Sequence, residues 1–185
     1  MRRLVLLLVL GALVACGHAD PKTPPVDLDA LVSAYRNVCA GTGTPLAPDY
    51  AHHKDHRAVV VEGERGEMRI SRGRLPEDWT ISFPFAEDAE DVDVVVCGER
   101  VAAKPVRLCD DVSGDKDAIK WHSATYAYTA RSARTGKALG KAKTIESTDR
   151  SCPTNVDVAK GHAPVDQFAL ASETDVKDFV EPYLD

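Results

Sequence analysis

Hydrophobic residues recur at helical spacing early in the chain, at Leu28, Leu31, Val32, Tyr35 and Val38. Side chains three and four positions apart share one face of an α-helix, so this spacing predicts a helix with one apolar side. Cys39 lies beside that side, and Gly41 provides the residue that commonly ends a helix. We therefore expect a helix over about residues 28–39, with the sulfur of Cys39 able to face the core.

Short segments rich in β-branched and aromatic residues follow, and their patterns are typical of strands. We expect strands at residues 58–61, 79–85, 92–101, 106–109 and 119–132, with a returning strand at 138–147. Pro84 would limit the segment at 79–85 to a sheet edge, because proline has no N–H to donate. Gly136 would take the positive-φ position of the turn at 134–137. Residues 62–74 are dense in charge and glycine, which indicates either a hairpin about Arg65 and Gly66 or a mobile loop.

The end of the chain carries the pattern of a second helix. Ser172 and Asp175 resemble a capping box, and the apolar residues Val176, Phe179 and Val180 follow before Pro182 ends the helix. A helix, a run of mostly antiparallel strands and a terminal helix predict an α+β fold. We expect a single domain over residues 27–185, with a mainly antiparallel β-sheet, an N-terminal helix and a C-terminal helix.

The first fifteen residues have the composition of a targeting segment. Arg2 and Arg3 precede an uninterrupted run of apolar and small residues from Leu4 to Ala15. About 20 such residues are needed to span a bilayer, so this shorter run predicts a signal peptide at residues 1–15. Residues 16–26 are polar and proline-rich, which predicts a semi-extended tether.

Leu13-Val14-Ala15-Cys16 resembles the lipobox of bacterial lipoproteins. The resemblance implies cleavage before Cys16, a thioether from its sulfur to diacylglycerol, and commonly a further acyl chain such as palmitate. It implies a lipid anchor in the bacterial cell envelope, at the outer membrane in a Gram-negative cell because Gly17, rather than Asp, follows the cysteine. The alternative is an ordinary cleaved signal in which Cys16 is incidental.

A second resemblance lies in the mature domain. The turn from Ala133 to Leu139, with the sequence ARTGKAL, is similar to hairpins of bacterial envelope domains, including uncharacterised exported lipoproteins and the curli-secretion lipoprotein superfamily. We infer no activity from it.

The composition is that of an ordinary globular protein, with 44% hydrophobic and 28% charged residues among 185. The net charge of −6 would become −8 if Arg2 and Arg3 were removed with the signal peptide. This sign argues against nucleic acid or an anionic lipid surface as a general electrostatic partner.

Four cysteines remain after Cys16: Cys39, Cys97, Cys109 and Cys152. An even number in an exported chain predicts two disulfides. A hairpin about Ala103 would place Cys97 opposite Cys109, and Glu99 opposite Arg107 as a cross-strand ion pair. The preferred pairing is therefore Cys97–Cys109 with Cys39–Cys152, and the other two pairings stay open. A four-cysteine zinc site is a weaker alternative, because the spacings contain no C-x-x-C.

Three further clusters are candidate ligand sites. His52, His53 and His56 form a weak candidate metal site, since imidazole binds zinc, copper and nickel; the alternative is a solvated polar loop. The acidic stretch at 110–117 is either a calcium loop or, as we prefer, a charged hairpin loop, because its glycine and His122 depart from the EF-hand pattern. Trp121, Tyr126 and Tyr128 would line a ligand groove or, as we prefer, pack in the core.

Motifs of catalysis are missing from the sequence: it has no G-x-S-x-G elbow, no H-E-x-x-H, no Walker loop and no Rossmann glycine set. We therefore expect a non-enzymatic binding module, anchored in the envelope, without a cofactor and with a protein or cell-wall partner. Two alternatives remain: an envelope hydrolase with a site assembled from scattered residues, and a metal-binding or sensing lipoprotein. A deep pocket with converging polar groups would favour an enzyme, and an exposed apolar patch or open sheet edge would favour a binding module.

Overall fold

The structure is a computed structural model that describes residues 28–52, 55–81, 91–159 and 164–185. Its helices and strands are α1 (Leu28–Cys39), β1 (Arg57–Gly63), β2 (Arg69–Ile70), β3 (Val92–Cys109), β4 (Ile119–Ser132), β5 (Lys143–Glu146), β6 (Val165–Phe168) and α2 (Glu173–Val180). The predicted signal peptide and tether, together with Cys16, lie outside the described residues.

The six strands form one mixed sheet in the order β2-β1-β3-β4-β5, and β6 pairs with a different part of β4. Three of the five strand pairs are antiparallel, including the long β3–β4 pair, whereas β1–β3 and β4–β6 are parallel. The predicted α+β domain with one sheet and a helix from each end of the chain is confirmed.

The two faces of the sheet are covered by different helices. On β1, Val59 and Val61 join the apolar cluster that contains α1, whereas Ala58 and Val60 join the cluster that contains α2. Successive side chains of a strand point to opposite faces, so a continuous apolar run is what a strand covered on both sides requires. A third cluster surrounds Cys109 at the far end of β3 and β4.

Helix α1 ends where the apolar spacing and Gly41 predict. Its inner side buries Leu31, Tyr35 and Val38, each of which contributes about 1.5–3 kcal/mol when fully buried. Gly41 has φ +92°, and its N–H donates to the carbonyl of Val38 at 2.9 Å, so the predicted glycine cap is confirmed.

The predicted hairpin about Ala103 is wrong. Residues 92–109 form one continuous strand, and its partner β4 begins only at Ile119. The turn lies at residues 110–118, where the carboxylate of Asp111 accepts hydrogen bonds from the N–H groups of Ser113 and Asp115, at 3.0 and 2.8 Å. Turn-forming Asp, Ser and Gly residues are present there and missing from the Ala-Ala-Lys segment. The preferred interpretation of residues 110–117 as a charged hairpin loop is confirmed.

The preferred disulfide pairing fails with that hairpin. Cys97 and Cys109 lie twelve residues apart on one extended strand, which separates them by about 40 Å. The bonds are Cys39–Cys97, with Cα atoms 5.5 Å apart, and Cys109–Cys152, with Cα atoms 5.7 Å apart. Two disulfides are confirmed, and the preferred connectivity is wrong. The Glu99–Arg107 ion pair is wrong for the same reason, since Glu99 contacts Arg65.

Several shorter predictions are resolved in the same way. The hairpin about Gly66 is confirmed by the antiparallel β1–β2 pair, and the capping box is confirmed because Ser172 Oγ accepts from the Asp175 N–H at 3.1 Å. The strand predicted to start at Trp79 is wrong at its start, because Trp79 ends a 3₁₀ turn that begins at Glu77; residues 82–90 lie outside the described residues. The returning strand is shorter than expected, at Lys143–Glu146.

Candidate functional site

One stretch of β3 leaves the body of the sheet. Strand β1 pairs with β3 only as far as Glu99, whereas β4 pairs with β3 to its end at Cys109. Residues 101–108 are all exposed, and among the described residues no strand pairs with their outer edge. We call residues 101–108 the edge segment.

The edge segment combines apolar and basic side chains. Val101, Val106 and Leu108 are 55%, 36% and 51% exposed, and Lys104 and Arg107 add two positive charges without any acidic residue between 101 and 108. Such an edge offers unpaired N–H and C=O groups to an incoming strand. The register of the β3–β4 pair shifts by one residue at Val101 and again at Val106. These shifts, together with Pro105, which has no N–H to donate, interrupt the ladder of hydrogen bonds between the two strands.

Both ends of the edge segment are fixed to the domain. At the near end, the Arg100 guanidinium lies 3.4 Å from the ring centre of Phe168 and 2.5 Å from the Glu64 carboxylate. At the far end, the Cys109–Cys152 disulfide ties β3 to the segment that follows β5. A docking strand would therefore meet a preorganised edge, which lowers the ordering cost of binding.

Asp111 holds the turn at the tip of the β3–β4 ribbon. Besides the turn itself, its carboxylate accepts the N–H of Val158 at 3.1 Å, so it also fastens the 156–158 segment to the ribbon. Burial by itself would raise the pKa of Asp111, but the hydrogen bonds from Asp115, Val158 and Ser113 outweigh it and hold the pKa below its ordinary value. The carboxylate is therefore engaged by backbone donors, as a structural turn requires.

The histidines are divided between two environments. His52 is exposed, with Nδ1 3.3 Å from the Asp49 carboxylate. Nδ1 of His56 contacts the buried carboxylate of Asp93, and its ring stacks on Tyr50 with centroids 4.4 Å apart. His53 lies outside the described residues, and among those that are described no group of three His, Cys, Asp or Glu side chains is arranged to hold a metal ion.

The aromatic residues of β4 lie in the core, as we preferred. Tyr126 and Tyr128 belong to the cluster under α2, and Trp121 belongs to the cluster around Cys109. Burial raises the pKa of Tyr126 to about 12. Burial, followed by the charge of Glu62, also raises the pKa of Tyr128.

Sequence reasoning missed a buried polar cluster beside these tyrosines. The Tyr128 hydroxyl donates to the Glu62 carboxylate, and Arg74 donates to the carbonyl of Ala171 at 2.6 Å. Arg74 also donates from Nη2 to Glu62 Oε1 at 3.3 Å, and its Nε lies 3.2 Å from Glu62 Oε2, so the two side chains form a buried ion pair. Burial by itself lowers the pKa of Arg74, but the charges and hydrogen bonds of Glu62 and Tyr128 together outweigh it, and the pKa is raised. In the sequence, the signal that could have indicated this cluster is Glu62, a charged residue directly after the apolar run at 58–61.

None of the described helices is long and apolar enough to cross a membrane. Comparison of the chain with protein-family models, with curated protein sequences and with solved structures gave no match.

Proposed function

We propose that this protein is a non-enzymatic binding module, anchored by lipid on Cys16 in the bacterial cell envelope, and that the edge segment of β3 is its docking surface. The unpaired edge with its exposed apolar side chains is the observation that carries the docking proposal. The lipobox resemblance of residues 13–16 carries the anchoring proposal.

The anchor explains how the domain would reach its partner. Cleavage before Cys16 and acylation of its sulfur would leave a short proline-containing tether between the lipid and α1. Two or three acyl chains hold a protein durably, whereas one chain does so only marginally. The two disulfides support an oxidising compartment. In a Gram-negative cell, Gly17 favours the outer membrane.

The chemistry of the edge favours one kind of occupant, an extended peptide segment of another envelope protein with alternating apolar and acidic side chains. Its backbone would pair with the outer edge of β3, its apolar side chains would cover Val101 or Leu108, and its carboxylates would meet Lys104 and Arg107. A second copy of this chain is a poor occupant, because antiparallel self-pairing would bring two basic segments together.

Hydrogen exchange with defined peptides tests the docking proposal. The full chain in neutral detergent is mixed with a ten-residue peptide that alternates valine with glutamate, or with a matched peptide that alternates valine with lysine. We expect the acidic peptide alone to slow amide exchange in residues 101–108. A Lys104→Glu, Arg107→Glu variant should reverse this preference, whereas Lys177→Glu on α2 serves as a matched control. No protection at the edge segment, or equal protection by both peptides, would refute the proposal.

A separate experiment tests the anchor. Mass spectrometry of the protein from native envelopes should find diacylglycerol and acyl mass on an N-terminal peptide that begins at Cys16. A Cys16→Ser variant should lose that mass and leave the membrane fraction. Protein that keeps residues 1–15, or that carries an unmodified Cys16, would contradict the anchoring proposal without affecting the test of the edge segment.

A further inference from the structure

An open cleft of about 640 Å³ lies beside the Cys39–Cys97 disulfide. Its walls come from the last turns of α1, the β1–β2 turn, β3 and β4. The disulfide ties α1 directly to β3 and so holds two of these walls together. The volume falls in the range of small-molecule sites, about 300–1,000 Å³.

The charge of the cleft is opposite to that of the whole chain. Arg36 from α1, Arg65 from the β1–β2 turn and Arg131 from β4 line it, and Glu99 is the one acidic residue among the described lining. The chain as a whole carries a net charge of −6. The tertiary fold therefore brings three guanidinium groups together from three separate elements, although the chain as a whole is acidic.

Glu99 balances the charge of only one of the three arginines, because its carboxylate is paired with Arg65. Arg65 contacts both oxygens of Glu99, at 2.9 Å from Nε and 3.1 Å from Nη2. Among the described lining residues, this two-point contact leaves the positive charges of Arg36 and Arg131 without a balancing carboxylate. Nη1 of Arg131 donates to the carbonyl of Gly136 at 2.8 Å, which fixes the guanidinium in place. Nε of Arg131 is buried and has no hydrogen-bond acceptor among the described residues.

The C-terminus of α1 opposes an anion only weakly. A helix C-terminus carries the equivalent of about half a negative charge on its free carbonyls. Here the carbonyls of Arg36, Asn37 and Val38 already accept hydrogen bonds from the residues that follow the helix. Arg36 and Arg131 have no carboxylate partner in the part of the chain that the structure describes, and these two guanidinium groups outweigh that remaining dipole.

We propose that this cleft binds a small anionic ligand through a carboxylate or phosphate group held by Arg131 and Arg36, with the Arg65–Glu99 pair as one wall. Planar guanidinium groups match both anions in a bidentate geometry. The cleft contains no histidine in its described lining, so binding, rather than acid–base chemistry, is the role that its residues support. This site is separate from the edge segment and does not depend on the proposed docking there.

Isothermal titration calorimetry of the full chain in neutral detergent at low ionic strength tests the proposal, with inorganic phosphate and succinate as probes. We expect at least one of them to bind in the millimolar range, and the one that binds identifies the anion class. Arg36→Gln should weaken binding about tenfold, as the loss of a charged hydrogen bond does. Arg150→Gln, at an exposed arginine that lies outside both the cleft lining and the edge segment, is the matched control and should bind as the parent does.

Two further variants separate binding from folding. Arg131→Lys keeps the positive charge but removes the planar guanidinium that can donate two parallel hydrogen bonds, so we expect weaker binding. Circular dichroism shows whether the fold is retained. Glu99→Gln removes the acidic group and releases Arg65, so we expect binding to become several-fold tighter, which a purely structural role would not produce. The proposal is overturned if neither probe binds, if Arg150→Gln weakens binding as much as Arg36→Gln, or if Glu99→Gln leaves binding unchanged.

Discussion

Alanine at position 98 should destabilise this protein, although glycine-to-alanine substitution in a strand ordinarily stabilises. Gly98 lies between Glu62 on β1 and Tyr128 on β4, and the three residues form one row across the central strands. Without a side chain at Gly98, the Tyr128 ring can lie across β3 and donate its hydroxyl proton to Glu62. The glycine is therefore required for packing rather than for a positive φ.

The geometry decides the sign of the effect. An alanine Cβ at position 98 would lie 2.6 Å from Cε1 of Tyr128 and 3.0 Å from Cγ of Glu62. Without these contacts, the substitution would stabilise by about 0.4–1 kcal/mol, because alanine restricts the unfolded chain. Overpacking costs about 1–3 kcal/mol, and loss of the Tyr128–Glu62 hydrogen bond adds about 1–3 kcal/mol. We expect a net loss of about 1–5.5 kcal/mol, or roughly 2–22 °C in Tm for a domain of this size.

Urea denaturation followed by circular dichroism measures this change, provided that the m-value stays the same. Gly98→Ala in a Tyr128→Leu background completes a double-mutant cycle, because leucine removes the atoms that the new Cβ meets. The cost of Gly98→Ala should fall in that background. A Gly98→Ala protein as stable as the parent or more so, or a cycle without coupling, would refute the packing argument.

Three other predictions follow from local features. Replacing Cys39 and Cys97 together by serine should lower the free energy of unfolding by about 4 kcal/mol, because the disulfide closes a loop with a sequence separation of 58. Urea denaturation measures this loss. A non-reducing peptide map that joins Cys39 to a cysteine other than Cys97 would contradict the pairing. Burial raises the pKa of Tyr126 from 10.0 to about 12. The stability that this shift contributes should be complete below about pH 10 and should be lost as the pH rises through about 12. A folded-state pKa near 10, measured by ring-carbon NMR, would contradict this. Ser172→Ala should cost about 1 kcal/mol in thermal unfolding, whereas Ser172→Asp should retain most of the cap, and equal losses would argue against it.

Local patterns in the sequence were sufficient for several elements. The end of α1 follows from apolar spacing and Gly41, and the bounds of β4 follow from alternation over residues 119–132. The start of α2 follows from Ser172. Each of these signals acts within one or two turns of helix or along one strand, so no knowledge of distant contacts was needed.

The error in β3 shows where such signals stop. Valines at 92–96 marked the strand correctly, but its length depended on which of two later segments turned the chain. The turn chemistry of Asp111 and Gly114 was the stronger signal, and Gly114 does take φ +83°. The disulfide pairing then followed the strand, because cysteines pair by proximity in space and the same four residues allow three connectivities.

The sequence by itself determined the helices, the long strand β4, the presence of two disulfides and the lipobox resemblance that motivates the envelope proposal. Only the tertiary structure decided that β1 stops pairing at Glu99, which leaves the edge segment open, and that Arg36, Arg65 and Arg131 meet in one cleft. The physical reason is the distance along the sequence between the residues that set each feature. Periodicity, caps and turns are set by residues close in sequence, whereas a free edge and a charged cleft depend on where strands and helices from distant parts of the chain come together.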